Sequence, residues 1–125
     1  MTKRPVVLIV EDKKVEQAKA SAVLAPYAEL LIAGFQRAAY KLIESRPDIA
    51  YVILDGYVPM FERKSCGDDT TFDLAYEVLH TLPNAKIFSA SSDNGLNDKI
   101  AEIGATRSNK QTAARLIRDE ILKNS

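Results

Sequence analysis

Three carboxylates, a hydroxyl and an ammonium stand out as residues able to do chemistry together. "IVED" supplies Glu11 and Asp12, "ILDG" supplies Asp55, "FSAS" supplies Ser89 and "NKQT" supplies Lys110. The first three stretches are short apolar runs that stop abruptly on a carboxylate or hydroxyl. Carboxylates gathered at close range repel, and their pKa values rise unless a cation joins them. An oxygen-only donor set suits Mg²⁺, which keeps some waters and accepts one or two carboxylates plus a phosphate. A carboxylate can also attack phosphorus as a nucleophile, forming an aspartyl phosphate. A hydroxyl and a lysine beside it can bind the phosphoryl oxygens and offset their charge. The other reactive side chains form no such set. His80 has no acidic or hydroxyl partner in pattern and reads as a surface residue. Cys66 is the single cysteine, which excludes an intrachain disulfide and gives no zinc pattern. It reads as a free thiol in a loop, with redox sensing as the alternative.

Periodicity says what must position these groups. Residues 6–10 (VVLIV) and 49–54 (IAYVIL) are wholly apolar and rich in β-branched side chains, as expected of strands covered on both faces. Residues 29–33 form a weaker strand and 86–89 another. Helical spacing runs through 12–24, with Val15, Ala18, Ala22 and Ala25 as its apolar stripe. It recurs over 35–44, 71–82, 96–103 and 113–123, and Pro26 and Gly104 close two of these stretches. "ATRSN" is a poor fifth strand. The order is βα repeated five times, which predicts a parallel sheet with helices on both sides, a three-layer α/β sandwich. Ligands of such sheets bind outside the carboxyl ends of the strands. Glu11, Asp12, Asp55, Ser89 and Lys110 all fall at such ends.

Composition bounds the rest. Lysine plus arginine number 17, as do aspartate plus glutamate, so the net charge is zero. That argues against a nucleic-acid binder with a basic face and against a polybasic membrane patch. No apolar run approaches the ~20 residues that span a bilayer. The N-terminal "MTKRP" leads into a strand-like run and not a signal-peptide core. The expectation is one cytoplasmic domain over residues 1–125, long enough for a proper core.

From "VLIVED" through "RPDIAYVILDGYVP" and "IFSAS" to "IGAT" and Lys110, the chain resembles the receiver domains of two-component response regulators, the CheY-like family. The resemblance spans nearly the whole chain and rests on the combination of motifs in order. It implies the (βα)5 flavodoxin-like fold with strand order 2-1-3-4-5. It implies Asp55 as phosphoacceptor, with Glu11, Asp12, Asp55 and the backbone carbonyl of Tyr57 holding Mg²⁺. Ser89 then matches the switch hydroxyl and Lys110 the phosphate-contacting lysine. Tyr57 and Ser91, each two residues past a site residue, flank the site and tune dephosphorylation. The implied donor is a histidine kinase or histidine phosphotransfer protein. With no DNA-binding segment after the fifth helix, output runs through protein contacts to an unnamed target, or through a homodimer.

The departures from that family are specific. The loop over 60–70 is several residues longer than usual, and its "ERKSCGDD" is expected to be mobile or to form a flap over the acidic site. Arg63 and Lys64 on it would meet a phosphodonor, and Asp68 and Asp69 would repel one. Lys110 is followed by Gln111 where the family has proline. A cis bond without proline costs roughly 2.5–4 kcal/mol, so a trans bond and a rerouted loop are expected. "ATRSN" lacks the aromatic residue that usually moves with the switch hydroxyl. Each site residue also has a plainer reading: Glu11 and Asp12 as caps of the first helix, Asp55 and Ser89 as turn residues, Lys110 as a solvated lysine. The second functional reading is a pseudo-receiver, a protein-binding module on this fold that is not phosphorylated. A flavin carrier is a third, but "EDKKVEQ" has neither the hydroxyls nor the glycines of a flavodoxin phosphate loop.

Overall fold

A strand buried on both faces can place alternate side chains in two separate cores. That is how β1 (Val6–Val10) and β3 (Ile49–Leu54) are built. The computed structural model describes residues 4–62 and 69–124. Beside these central strands lie β2 (Glu29–Ala33) and β4 (Lys86–Ser89), giving a parallel sheet of order β2-β1-β3-β4. Between and after them run α1 (Lys14–Leu24), α2 (Gln36–Ser45), α3 (Phe72–Thr81), α4 (Asn94–Glu102) and α5 (Ala113–Lys123). These boundaries fall within two residues of those expected from periodicity.

Val6, Leu8 and Val10 of β1, with Val52 and Leu54 of β3 and Ile87 of β4, face one core. There they meet Ala39 and Ile43 of α2, Leu74 and Val78 of α3, and Leu96 and Ile100 of α4. Val7, Ile9, Ile53 and Phe88 face the other, packed on Leu24 of α1 and on Ala113, Ala114 and Ile117 of α5. The result is the expected three layers. Among the described residues no helix is long and apolar enough to cross a membrane.

The fifth strand is short, as its sequence suggests, and the buried face of α1 differs from the expectation. The fifth strand is reduced to one parallel bridge, Phe88 with Thr106. Thr106 N donates to Ile87 O (2.7 Å) and Ser89 N to Thr106 O (3.1 Å). "ATRSN" thus occupies the place beside β4 but lacks the apolar side chains that would extend the ladder. On α1 the stripe Val15, Ala18, Ala22, Ala25 is exposed, and Ala20, Val23 and Leu24 pack inward instead. An alanine-rich helix has little contrast between its faces, so one larger side chain, Leu24, decides its rotation. Gly104, just past α4, has φ +120°, a conformation that glycine adopts without a Cβ penalty. No peptide bond among the described residues is cis, and Lys110–Gln111 is trans as expected.

Candidate functional site

Register brings the acidic residues together. β1 pairs Val10 with Leu54 of β3, so the next residues of both strands, Glu11 and Asp55, emerge side by side. Asp55 N donates to Val10 O (3.1 Å) and Glu11 N to Ala33 O (3.0 Å), so both carboxylates leave from backbone fixed in the sheet. Asp12 follows, and the three offer ligand oxygens within 4.8 Å of one another. Helix capping does not account for them, because the N-cap position of α1 is Lys13, with no side-chain cap. Glu11 does receive the Lys13 amide at 3.2 Å.

Lys110 reaches this cluster from the loop before α5. Its Nζ donates to Glu11 Oε1 at 2.6 Å and to Asp55 Oδ2 at 3.1 Å. Its side chain is 12% exposed, so it is not a solvated lysine. Burial raises the Glu11 carboxyl above its ordinary 4.5, and the Asp55 charge adds to this against the Lys110 hydrogen bond. Asp12 is raised as well, by its own burial and by its contact with Glu11. Burial works against the Lys110 charge, but Glu11 and Asp55 outweigh it and hold its pKa above the ordinary value. Three oxygen donors whose negative charge one ammonium only partly offsets are a donor set suited to a hard divalent cation, so these residues fit Mg²⁺.

A cavity of about 200 Å³ opens beside the cluster, walled by Asp12, Asp55, Tyr57, Ser91, Asp93 and Lys110 among others. Tyr57 forms an antiparallel bridge with Thr70. The bonds of that bridge are made by its neighbours, Val58 N to Asp69 O (3.1 Å) and Thr71 N to Gly56 O (3.0 Å). The pairing therefore leaves the carbonyl of Tyr57 unused. Gly56 permits a close approach of another kind: a Cβ there would fall inside the Leu96 side chain of α4 and 3.3 Å from Ser91 Cβ.

The serines at the end of β4 and just past it divide in behaviour. Ser89, fully buried, donates its hydroxyl to Ser108 O (2.9 Å) and accepts from Ser108 N (2.8 Å). Ser108 Oγ in turn donates to Ser89 O. Ser91 lines the cavity instead. The fifth-strand segment "ATRSN" has no aromatic residue, and its Arg107 pairs with Asp98 of α4.

The long loop has a braced base. Gln36 at the start of α2 is 1% exposed, and its Nε2 donates to Val58 O (2.8 Å) and Thr70 O (2.9 Å), one on each arm. Gln36 N and Arg37 N donate to Pro59 O (2.8 Å) and Met60 O (3.0 Å). Met60 N donates to Asp69 Oδ2 (3.0 Å), and Thr71 Oγ1 donates to Asp55 O (2.7 Å). Asp69, expected to repel a donor, is thus a brace. Arg63, Lys64, Cys66 and Asp68 lie outside the described residues. His80, in the last turn of α3, is exposed and takes no part in the site.

The sequence pattern did not single out Gln36, Thr71, Asn97 or Ser108. Gln36, Thr71 and Ser108 act through bonds to backbone 16 or more residues away, and Asn97 through a loop six residues before it, so none leaves a local spacing to read.

No protein-family model matches the chain, and no curated protein matches it. Solved structures do. A signal receiver domain of a putative Luxo repressor protein from Vibrio parahaemolyticus matches 97% of this chain and 89% of its own, with TM-score 0.73 at 19% identity. A CheY-like response regulator receiver domain protein from Methanospirillum hungatei JF-1 matches 98% of this chain and 100% of its own, with TM-score 0.73 at 17% identity. The signal receiver domain of an HD domain-containing protein from Pseudomonas fluorescens Pf-5 gives 0.72 at 20%, over 98% and 94%. The chain has the fold of response regulator receiver domains.

Proposed function

We propose that this chain is a receiver that accepts a phosphoryl group on Asp55, acting as one unit over residues 1–125 and signalling in the cytoplasm through protein contacts. One observation carries the reading: Asp55 and Glu11 leave adjacent strand ends under a shared ammonium, Lys110. A lysine bridging two carboxylates at a cavity mouth is ready to exchange one of them for an anion. Glu11, Asp12, Asp55 and the Tyr57 carbonyl would hold Mg²⁺, which when bound offsets the repulsion between Asp55 and an incoming phosphoryl group.

The chain's own groups do the rest. An Asp55 oxygen bonds to phosphorus as the donor's P–N bond breaks, and the electron pair leaves on the donor histidine. Sheet pairing fixes the attacking carboxylate, so little orientation is lost on the way to the transition state. Lys110 follows the new charge, and Ser91 on the cavity wall flanks it. The donor on this reading is a histidine kinase or histidine phosphotransfer protein. One neighbour on this fold is described as a BeF3-activated receiver domain, which supports the same chemistry. The chain is a phosphoacceptor and not an enzyme with a separate substrate.

A second reading, the pseudo-receiver, is favoured by the closed Ser89–Ser108 pair and by a fifth-strand segment that has no aromatic residue. Acetyl phosphate with Mg²⁺ separates the two. The receiver gains one phosphoryl group by intact mass, and Asp55→Asn gains none. An unlabelled wild type, tried with acetyl phosphate and with several kinases, would establish the pseudo-receiver.

A further inference from the structure

We propose that Gln36 and Thr71 are positioning residues of the metal site: from the starts of α2 and α3 they set the Tyr57 carbonyl and the Asp55 backbone, and so set how tightly Mg²⁺ is held. The inference rests on the Mg²⁺ site of the receiver reading and deepens it.

Tyr57 offers its carbonyl from a peptide whose other end is tied. The Val58 N–H of that peptide donates to Asp69 O (3.1 Å). No peptide among the described residues is cis, and a trans peptide points its C=O and N–H in opposite directions. The Tyr57 carbonyl therefore points away from the returning arm, and Tyr57 lines the cavity together with Asp12 and Asp55. Its aim is only as firm as the pairing of the two arms. That pairing is a single bridge, Tyr57 with Thr70, and a lone two-stranded hairpin is marginal in water. Gln36 supplies the missing hold. Its Nε2 gives both protons to the arms, one to Val58 O and one to Thr70 O. The orientation of this amide is fixed, because the reverse one would set its oxygen against two carbonyl oxygens. Oε1 is buried and has no partner among the described residues. A buried acceptor left unpaired costs stability, so this side chain is better suited to hold the arms than to strengthen the core.

Thr71 holds the other group. It stands at the N-cap position of α3, fully buried. Its Oγ1 donates to Asp55 O (2.7 Å), while Asp55 N donates to Val10 O (3.1 Å). The main chain of Asp55 is thus tied to β1 on one side and to the start of α3 on the other. Mg²⁺ demands near-ideal octahedral geometry, whereas Ca²⁺ accepts irregular ligand sets. Loosening either group should therefore weaken Mg²⁺ more than Ca²⁺.

The test is a Mg²⁺ titration of the whole chain followed by amide NMR at room temperature, where the spectrum also shows that each variant is folded. Gln36→Leu and Thr71→Val should each raise the Mg²⁺ Kd about tenfold, as loss of a group that orients a metal ligand does. Each should raise the Ca²⁺ Kd by less. Thr71→Ser, which keeps the hydroxyl, should stay within about threefold of wild type. Ile43→Val, a core change further along α2, should melt lower and keep its Mg²⁺ Kd within about threefold of wild type. Should Gln36→Leu not fold, the Thr71 pair decides. A folded Gln36→Leu or Thr71→Val that binds Mg²⁺ as wild type does overturns the proposal. So does an equal loss for Ca²⁺ and Mg²⁺, or a loss in Ile43→Val that matches theirs, since either assigns the effect to general loosening. A wild type whose Asp12 and Asp55 amides do not shift with Mg²⁺ fails before any variant is compared, and the inference then falls with the metal site. The phosphoacceptor reading has its own readout, the labelling of Asp55, so its failure is told apart from a failure here.

Discussion

Replacing Lys110 with methionine keeps the length of the side chain and removes its charge. Glu11 and Asp55, whose side chains are 6% and 8% exposed, then face each other without a cation. Breaking a buried ion pair by deleting one partner costs about 3–5 kcal/mol. Part of that is recovered because Glu11, already raised by burial, can take up a proton. A net loss of roughly 2–3 kcal/mol remains at pH 7 without divalent metal. Unfolding entropy of about 2.1 cal/mol/K per residue over 125 residues comes to about 260 cal/mol/K, which converts the loss into roughly 8–12 °C of melting temperature. A circular-dichroism melt reads it directly.

The pH dependence of Lys110→Met has a definite sign. A carboxyl whose folded pKa lies above its unfolded value contributes stability below the unfolded value and loses it as pH rises through the folded one. For Glu11 the unfolded value is near 4.5 and the folded one is higher, more so without Lys110. The gap between variant and wild type should therefore narrow as pH falls from 7 toward 4.5. Added Mg²⁺ should raise the melting temperature of the variant more than that of wild type, because a cation then enters a site with an unanswered charge. A variant melting within about 2 °C of wild type at pH 7, or a gap that stays constant down to pH 4.5, would refute the view that Lys110 holds these carboxylates together.

Two further outcomes follow from the same geometry. Asp12→Asn removes a charge that burial and Glu11 both penalise, so metal-free melting at pH 7 should rise slightly and the advantage should shrink as pH falls toward 3.8. The same variant should lose the Mg²⁺-dependent rise in melting temperature. Gln36→Leu strips the shared donor from the carbonyls of Val58 and Thr70. It should cost about 1–3 kcal/mol, and amide exchange should quicken at Val58, Met60 and Thr71 while the α5 amides keep their protection.

Strand ends were the most legible part of this chain. A run such as "YVILDG" must stop where burial stops, so Glu11, Asp12 and Asp55 could be placed at one edge from sequence alone. Lys110 could be placed near that edge, but nothing local says that a lysine between asparagine and glutamine turns inward, and its role came from the resemblance to a family. The face of α1 was misread because its alanines match either rotation. Ser89 and Ser91 look alike in "FSASSD", and only the partner across the sheet, Ser108, tells them apart. The brace under the long loop was invisible for the same reason: Gln36 lies 22 and 34 residues from the carbonyls it holds.

The missing side chain at Gly56 has a mechanical consequence. Leu96 fills the space where a Cβ would stand, so the backbone that carries Asp55 and the first turn of α4 touch with no slack between them. Most neighbouring parts of a protein are cushioned by side chains that can change rotamer and absorb a small shift. Here one partner is bare main chain with nothing to rotate, and the other is a leucine buried in the core. A displacement at the strand end is therefore passed on to the helix as a push, much as a cam drives its follower.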